Sequence, residues 1–549
     1  MKREQLEQIL LDVQKPAQYI GGELNSIMKD KEKVDCRLAF CFPDKYEVGM
    51  SHLGMKILYS LYNERENWWC ERVFAPDADM EQLMREKNIP LYGLESLDPI
   101  CDFDFILFTM QYEMSYTAIL NMLDLAGVPV RSKDRTALAP MVVAGGPCAC
   151  NPEPVADFID IFIIGEGEEV NIELTDLYMQ AKKEGWDKQR FLQQAAQIGG
   201  VYVPSLYDVS YREDGTIDSV KPNCPQAPEK VTKRIIADLD KVYYPKQFVV
   251  PFINIVHDRS MLEIQRGCIR GCRFCQAGMI YRPLRERSLP MLEELAAKGI
   301  KGTGNDEISL SSLSSSDYSH LPELCNYLID NYRSKNINIA LPSLRIDAFS
   351  LDVMSKVQDV RKSSLTFAPE AGTQRMRDVI NKGLTEEVIL HGAMEAFKGG
   401  WSKVKLYFMM GLPTETEEDI KGIAHLAEKI AMNYYSMDAE YRHGRISVGA
   451  SASFFVPKPF TPFQWAPMCK AEEYMRRAHL VNDEFKAQLN RKSLKYNWHE
   501  ADVTILEGVL ARGDRKVAKV IKKAYEKGCL FDSWTEGFKN ELWMEAFAE

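Results

Sequence analysis

Short apolar segments alternate with longer amphipathic segments along the first part of the chain. The apolar runs that predict buried strands are CRLAFCFP, DFDFILFTM, PMVVAGGP and FIDIFIIGEGEE. The segments GMSHLGMKILYSLYN and SYTAILNMLDLAG have the spacing of apolar-faced helices. Continuous apolar strands that alternate with helices indicate a doubly wound, parallel, Rossmann-like sheet. Ligands of such sheets bind in the loops after the strands, which here are 46–52, 111–115, 145–154 and 165–168.

A second α/β pattern follows further along the chain. Its strand candidates are MLEIQRG, EISLSSLS, NINIALPSL, SSLTFAPEAG, KVKLYFMMGLP and RISVGASASFFVPK. Helical patterns separate them, for example SLPMLEELAAKGI and the segment 414–435. Strand–helix pairs in this order predict a partial (β/α)6 barrel, whose chemistry belongs at the carboxyl ends of the strands.

These patterns divide the α/β chain into five regions. The predicted regions are a helical extension (1–35), the Rossmann-like domain (36–200), a β-rich connector (201–245), the partial barrel (246–470) and a helical C-terminal region (471–549). The connector contains REDGTIDS, whose Asp-Gly pair is a hairpin signal.

Composition narrows the class of protein. The 549 residues carry a formal net charge of −11, which argues against a general nucleic-acid coat protein. No apolar run has the length of a membrane span, and the N-terminal residues do not resemble a signal peptide. The 13 cysteines are scattered, as is typical of a reducing compartment rather than a disulfide framework. We therefore expect a cytoplasmic protein with no membrane segment.

Three cysteines lie close together in the segment EIQRGCIRGCRFCQAGMIYRP. Cys268, Cys272 and Cys275 supply soft thiolate donors, which favour zinc, copper(I) or iron–sulfur centres. A structural zinc site would need a remote fourth ligand, because zinc commonly uses two ligand pairs. The alternative is a cubane iron–sulfur cluster in which three irons are bound by protein and one is open to a small molecule.

The motif GCIRGCRFC resembles the CxxxCxxC loop of radical S-adenosylmethionine (radical SAM) enzymes. The resemblance implies that Cys268, Cys272 and Cys275 bind a 4Fe-4S cluster whose open iron chelates S-adenosylmethionine (SAM). A reducing electron donor supplies the electron that splits SAM into methionine and a 5′-deoxyadenosyl radical. The resemblance also implies that Phe274 lies beside the adenine.

Further cofactor contacts are implied at the ends of the barrel strands. By position these are Ser312, Ser314, Ser343, Arg345, Asp347, Glu370 and Gly411. Ser312–Ser314 stands where relatives carry Gly-Gly-Glu, so its side-chain roles depart from the pattern. Arg345 suits the carboxylate of SAM because guanidinium binds carboxylates in bidentate pairs. The later segment FFVPKPFTPFQW resembles the barrel-closing segment of methylthiotransferase-like radical enzymes.

The N-terminal domain is similar to the cobalamin-binding-like domain that precedes the barrel in one subgroup of this family. The likeness is carried by VVAGGPCACNPEPVADFIDIFIIGEGEE, in which Gly145 and Gly146 would let a macrocycle approach the strand ends. The histidine motif D-x-H-x-x-G is absent, since Met50 stands two residues before His52. The domain either binds cobalamin without a protein ligand to cobalt or keeps the fold without the cofactor.

The sequence thus predicts a radical SAM enzyme that modifies an unknown substrate. Bound cobalamin would favour methylation of an unactivated carbon, and without it another radical modification, of RNA or protein for instance, is expected. The one hint toward RNA is a basic stripe of Arg512, Arg515, Lys516, Lys519, Lys522 and Lys523, for which a solvated helix face is the alternative. The competing hypothesis is a non-catalytic iron–sulfur protein that senses cobalamin or redox state.

Overall fold

A computed structural model describes residues 3–341, 365–442 and 444–549. The chain divides into two compact units. The first unit comprises Met1–Asp258, Lys301–Thr303 and Gly513–Glu549, and the second comprises Arg259–Ile300 and Gly304–Arg512. Three residues with predicted roles, Ser343, Arg345 and Asp347, lie outside the described residues.

The first unit is built on a six-stranded sheet with the order β2-β1-β3-β4-β5-β6. Its strands are β1 (Cys36–Phe42), β2 (Trp68–Phe74), β3 (Phe105–Thr109), β4 (Met141–Gly145), β5 (Ile161–Ile163) and β6 (Val201–Tyr202). Strands β1 to β5 are parallel, and β6 is antiparallel to β5. The predicted parallel α/β sheet is confirmed, and β2 and β6 are additional strands.

Strand β2 was missed because charged residues interrupt its apolar run. Glu71 and Arg72 lie in the middle of the strand and are fully buried. Arg72 is bound on both sides by carboxylates, with Glu23 at 2.6 Å and Glu95 at 2.7 Å. Buried charges of this kind are tolerated when they are paired, and the partners come from distant parts of the chain.

Helices and one hairpin complete the first unit. The helices are Arg3–Ile9, Tyr46–Gly49, Leu53–Asn63, Ala78–Glu86, Tyr116–Leu125, Gly167–Glu184, Lys188–Ala195, Val517–Glu526 and Asn540–Ala548. The predicted N-terminal helical extension contains the first of these, followed by short 3-10 turns. The predicted Asp-Gly hairpin is confirmed by the antiparallel pair β7 (Tyr207–Tyr211) and β8 (Ile217–Pro222).

The second unit contains two parallel sheets and a two-stranded ribbon. Its strands are β9 (Ser260–Glu263), β10 (Gln265–Arg266), β11 (Arg285–Glu286), β12 (Glu307–Ser311), β13 (Asn338–Ala340), β14 (Leu365–Glu370), β15 (Lys403–Met410), β16 (Ser447–Phe454) and β17 (Leu494–Trp498). The sheet orders are β13-β12-β9 and β14-β15-β16-β17, and β10 pairs with β11. All six predicted barrel strands are present.

Two features of the second unit differ from expectation. Strand β17 lies in the region that was predicted to be entirely helical, and it extends the parallel sheet beyond β16. Within the described ranges no hydrogen-bonded strand pair joins β13 to β14, so the barrel wall is seen as two sheets rather than one. The tail pattern was misjudged because LKYNW alternates only briefly and is flanked by helices.

The described helices of the second unit lie between successive strands of the chain or, for the last one, after β17. They are Ala277–Ile280, Leu289–Thr303, Leu321–Tyr332, Gln374–Val379, Glu386–Lys398, Glu417–Tyr435, Ala471–Ala487 and Ala501–Arg512. The helix Glu417–Tyr435 packs Ile420, Ile423 and Ala427 into a core with Leu406 and Val448 of the sheet. Of the helices that the structure describes, none is long and apolar enough to cross a membrane.

Candidate functional site

The three-cysteine loop begins and ends at the same β-ribbon. Strands β10 and β11 pair Gln265 with Glu286 and Arg266 with Arg285, and the loop lies between them. Gly267 opens the loop with φ +91°. A Cβ atom at this position would lie 2.6 Å from the carbonyl oxygen of Pro283, so the close approach of the two loop ends requires glycine.

The three thiols of this loop form no disulfide and are partly exposed. The Arg270 amide lies 3.4 Å from Sγ of Cys268, and the Gly278 amide lies 3.3 Å from Sγ of Cys275. Burial raises the pKa of the Cys275 thiol, whereas the Gly278 amide acts in the opposite direction because it stabilises a thiolate. Amide hydrogen bonds to sulfur are a common feature of iron–sulfur sites.

The donor set fits an iron–sulfur cluster. In the part of the chain that the structure describes, no group of three or more His, Cys, Asp or Glu side chains is arranged to hold a single metal ion. In a cubane each cysteine binds a different iron, so three thiolates need not converge on one point. Soft thiolates on one curved loop, with amides directed at sulfur, match that requirement.

A serine-rich loop follows strand β12 and is tied to the cysteine ribbon. Nε2 of Gln265 donates a 2.6 Å hydrogen bond to the carbonyl oxygen of Ser314, and the hydroxyls of Ser312 and Ser315 are 3.0 Å apart. Oγ of Ser314 and Oε1 of Gln265 are buried and have no hydrogen-bond partner among the described residues. Because buried polar atoms are normally satisfied, these two oxygens are suited to a polar ligand.

An ion pair also joins the two loops. Nε of Arg270, between the first two cysteines, lies 3.0 Å from a carboxylate oxygen of Asp317. Asp317 ends the short 3-10 turn of the serine loop. The cysteine and serine loops are therefore held together by charged as well as neutral hydrogen bonds. Sequence reasoning did not identify Gln265 or Asp317, since neither belongs to a recognisable motif.

Glu370 lies at the carboxyl end of β14, where the strand bulges. Its φ is +68°, and its carboxylate lies 3.1 Å from Nζ of Lys382. Burial raises the pKa of Glu370, and Lys382 opposes this shift. The segment that contains Lys382 also contacts the cysteine loop, because its neighbour Asn381 donates a 2.8 Å hydrogen bond to the carbonyl oxygen of Gly271. The sequence predicted Glu370 but gave no signal for Lys382.

Phe274 packs into a small apolar cluster above the four-stranded sheet. The buried members of this cluster are Ala371, Met376, Ile380, Leu412 and Phe455, with Met409 and Phe463 packed against them. The amide of Phe463 also donates to the carbonyl oxygen of Arg273 at 3.2 Å. The aromatic segment 454–465 thus contacts the cysteine loop.

Gly411 follows strand β15 and adopts φ +85°. Its amide donates a 2.6 Å hydrogen bond to Glu415, which in turn lies 2.9 Å from Arg477. A Cβ atom on Gly411 would overlap the ring of Tyr474. The cysteine loop, the serine loop, the Glu370 turn and the Gly411 turn therefore meet at the carboxyl ends of the strands, as expected for a parallel sheet.

The two glycines of the turn after β4 in the first unit differ in how crowded their surroundings are. A Cβ on Gly146, whose φ is +98°, would lie 2.7 Å from the carbonyl oxygen of Met110, whereas one on Gly145 would meet nothing closer than 3.7 Å. His52 caps the helix Leu53–Asn63, and its Nδ1 accepts the Met55 amide at 3.1 Å. Burial lowers the pKa of His52 to about 4. Gly145 is therefore the less crowded of the two glycines, with Ile163 in ordinary van der Waals contact with its Cβ position.

The predicted basic stripe is interrupted and largely neutralised. Two helices, Ala501–Arg512 and Val517–Glu526, replace the single predicted helix. Arg515 lies 2.9 Å from Glu153, Lys516 donates to the carbonyl oxygen of Gly215, and Lys523 lies 2.9 Å from Glu549. The stripe therefore gives no support to an RNA surface.

Comparisons with known proteins agree with this site. Residues 54–204 match a family model described as "Radical SAM proteins, N-terminal", and residues 262–427 match the radical SAM superfamily model. "Uncharacterized protein MJ0966" of Methanocaldococcus jannaschii is 31% identical over 486 residues, which cover 88% of this chain and 90% of that protein. "Uncharacterized methyltransferase PH0819" of Pyrococcus horikoshii is 21% identical over 373 residues, 65% of this chain and 72% of the relative.

A solved structure resembles the chain in fold. The cobalamin-dependent S-adenosylmethionine radical enzyme OxsB, with aqua-cobalamin and S-adenosylmethionine bound, aligns with a TM-score of 0.50 at 15% identity. The alignment covers 86% of this chain and 66% of OxsB. The parallel sheets and the three-cysteine loop define an iron–sulfur enzyme that uses SAM. The chain belongs to the radical SAM superfamily.

Proposed function

We propose that Cys268, Cys272 and Cys275 bind the 4Fe-4S cluster of this enzyme and that the surrounding loops bind SAM. When bound, the cluster supplies the electron that cleaves SAM to methionine and a 5′-deoxyadenosyl radical. The observation that carries the proposal is the loop itself: three partly exposed thiols between β10 and β11, two of which accept backbone amide hydrogen bonds.

The protein side chains divide the binding of SAM among the strand ends. Buried, unsatisfied oxygens of Ser314 and Gln265 are acceptors for the methionine ammonium group. The Glu370 carboxylate, oriented by Lys382, suits a ribose hydroxyl or the same ammonium group. Phe274 provides an apolar surface for the adenine, and the turn at Gly411 brings backbone close to it. Ser312 helps to hold the serine loop in place through the hydrogen bond between its hydroxyl and that of Ser315.

Cobalamin-dependent methylation is the reaction we propose for the fused first unit. Gly145, the less crowded glycine of this turn, lies at the carboxyl end of β4, where ligands of parallel sheets bind. His52 acts as a helix cap, so the proposed cobalamin has no histidine ligand from this position. The names of PH0819, a methyltransferase, and of OxsB, a cobalamin-dependent enzyme, support the same proposal. None of the thirteen cysteines, all of which the structure describes, forms a disulfide, which supports a cytoplasmic location.

Anaerobic reconstitution tests the cluster assignment. Unmodified protein should bind about four irons per chain and form 5′-deoxyadenosine on reduction with dithionite in the presence of SAM. Cys272→Ser should lose the cluster, whereas Cys325→Ser, which alters a buried cysteine in a helix, should keep it. The sensor hypothesis would be supported instead if the protein bound a full cluster, its electron paramagnetic resonance spectrum did not change on addition of SAM, and no 5′-deoxyadenosine formed.

Cobalamin is tested separately. Protein purified without oxygen from cells supplied with cobalamin should contain cobalt and the absorption bands of a corrinoid. Gly145→Leu should reduce the cobalt content because it adds bulk at this strand end, while Gly199→Leu serves as the control, since Gly199 also lacks a positive φ and no described atom lies closer than 3.9 Å to its Cβ position. Equal cobalt in both variants would exclude a cobalamin site at this turn.

A further inference from the structure

The two faces of the four-stranded sheet have opposite chemistry. On one face, register rows such as Phe367, Leu406, Ala450 and Tyr496 pack against the helices. Side chains alternate along a strand, so the neighbouring rows point to the other face. One such row joins Thr366, Lys405, Gly449 and Lys495, and the next joins Tyr407, Ser451 and Asn497. These seven positions, which we call the polar face, include two lysines and no carboxylate.

The polar face is open around Gly449. Among the residues that the structure describes, a Cβ atom built on Gly449 would have no neighbour within 4 Å, although the residue lies in the interior strand β16. Lys405 and Lys495 flank Gly449 in the same row, and regular spacing of strands puts their Cα atoms roughly 10 Å apart. The two long, flexible lysine side chains can therefore reach over the space beside Gly449 from opposite sides. We call this space the hollow.

Ordinary explanations account for only part of this arrangement. A lysine on an edge strand such as β17 discourages unwanted strand pairing, which would explain Lys495 alone. Lys405 lies on β15 and Gly449 on β16, both interior strands of the sheet. Glycine in a strand interior often marks a bulge, a bend, or the close approach of a ligand or another backbone. The register is regular at Gly449 and no described backbone approaches its Cβ position, so the approach of a ligand fits both observations.

The hollow is connected to the cysteine loop along the sheet. Nζ of Lys405 lies 4.9 Å from the centre of the Tyr407 ring, one step nearer the carboxyl ends of the strands. Met409, the next residue on this side of β15, packs against the cluster that contains Phe274. From Lys405 to Met409 the strand rises roughly 13 Å, so a metabolite-sized molecule could span from the hollow to the cluster site.

We infer that the hollow between Lys405 and Lys495 binds a phosphate group of the substrate, at the end remote from the carbon that is modified. Lysine is a point charge suited to phosphate, whereas the fork of arginine, which favours carboxylates, is absent from these positions. Hydroxyls of Thr366, Tyr407 and Ser451 are available as further donors. In a chain of net charge −11, a lysine-bearing face without carboxylates is complementary to an anion.

This inference deepens the proposed function and rests on it, because it identifies the substrate of the same site as a phosphorylated small molecule. Binding of inorganic pyrophosphate to the reconstituted, full-length protein should be measured by isothermal titration calorimetry. Lys405→Met should weaken binding at least tenfold. Gly449→Val should do the same without changing charge, and it meets no steric obstacle to folding.

The matched control is Lys421→Met, on the helix that covers the apolar face, which should bind pyrophosphate as the unmodified protein does. No binding by the unmodified protein, equal binding by Lys405→Met and Lys421→Met, or a preference for citrate over pyrophosphate would each overturn the inference. Formation of 5′-deoxyadenosine by the same unmodified preparation tests the proposed function independently.

Discussion

Gly411 lies so close to Tyr474 that any side chain on Gly411 would overlap the aromatic ring. The phenol of Tyr474 is fixed in turn by a 2.7 Å hydrogen bond to the carbonyl oxygen of Phe455, in the segment that contacts the cysteine loop. The turn after β15 is thus held by contacts on both sides, and its glycine is required by space as well as by backbone conformation.

Replacing Gly411 by alanine should therefore lower the free energy of unfolding by about 2–4 kcal/mol, because the positive φ and the overlap with Tyr474 both act against the new methyl group. Urea denaturation measures the loss. Gly383→Ala is the control, since Gly383 has φ +65° but no atom within 4 Å of its Cβ position, and the φ cost alone is about 1–2 kcal/mol. Equal losses of unfolding free energy in the two variants would show that the ring of Tyr474 moves to accommodate the methyl group.

Removal of Lys382 should lower the free energy of unfolding, because Glu370 is then left buried without its counter-ion. The pair is largely buried, with 13% and 17% of the two side chains exposed, so Lys382→Met should destabilise the fold by about 2–3 kcal/mol. Adding Glu370→Gln should recover part of this loss, because no charge then remains unpaired.

Lys398→Met provides the comparison, since the Lys398–Glu395 pair is more exposed and should contribute less than about 1 kcal/mol. Urea unfolding of the unmodified protein, Lys382→Met, Glu370→Gln and the double variant gives the coupling energy between Lys382 and Glu370. A double variant less stable than Lys382→Met would argue against the pairing.

Stability should fall as pH rises through the range in which Glu415 loses its proton. Burial raises the pKa of Glu415 to about 7, above its ordinary value of 4.5. The folded state then binds a proton that the unfolded state has released, so the contribution of the protonated carboxyl is complete below pH 4.5 and is lost by about pH 7. The free energy of unfolding should decrease by up to about 3 kcal/mol across this window.

Glu415→Gln should remove this slope, because the amide does not titrate. Glu417→Gln, at an exposed position two residues along, should retain it. Unfolding in urea between pH 5 and pH 8 measures both. The same slope in Glu415→Gln and in the unmodified protein would assign the titration to another group.

Arg72 should be the most sensitive charged residue of the first unit. Its side chain is 2% exposed and lies between Glu23 and Glu95, so Arg72→Met leaves two carboxylates buried without a cation. We expect a loss of about 3–5 kcal/mol in the free energy of unfolding. Arg85→Met, which removes an arginine that is 43% exposed, should cost less than about 1 kcal/mol. Thermal and urea unfolding of the two variants decide the comparison.

The elements found from sequence were those whose pattern is local. Strands such as β1, β4 and β15 are continuous or alternating apolar runs, and each was located because burial imposes its period on the chain. Strand β2 was missed, since charged residues such as Glu71 and Arg72 are expected at the surface. Their burial becomes understandable only when their ion-pair partners, Arg37 for Glu71 and Glu23 and Glu95 for Arg72, are known. Strand β17 was missed because an edge strand of few residues has little periodicity to detect.

By itself, the sequence determined the chemistry of the centre and the order of the elements. Three cysteines at fixed spacing after a strand predict an iron–sulfur loop through their resemblance to the radical SAM motif, because the spacing of donors along one loop is a property of the chain alone. The tertiary structure decided which residues meet that loop. Lys382 beside Glu370, Gln265 hydrogen-bonded to Ser314, and Lys405 in one row with Gly449 and Lys495 are placed by the folding of separate segments, and no local pattern encodes that proximity.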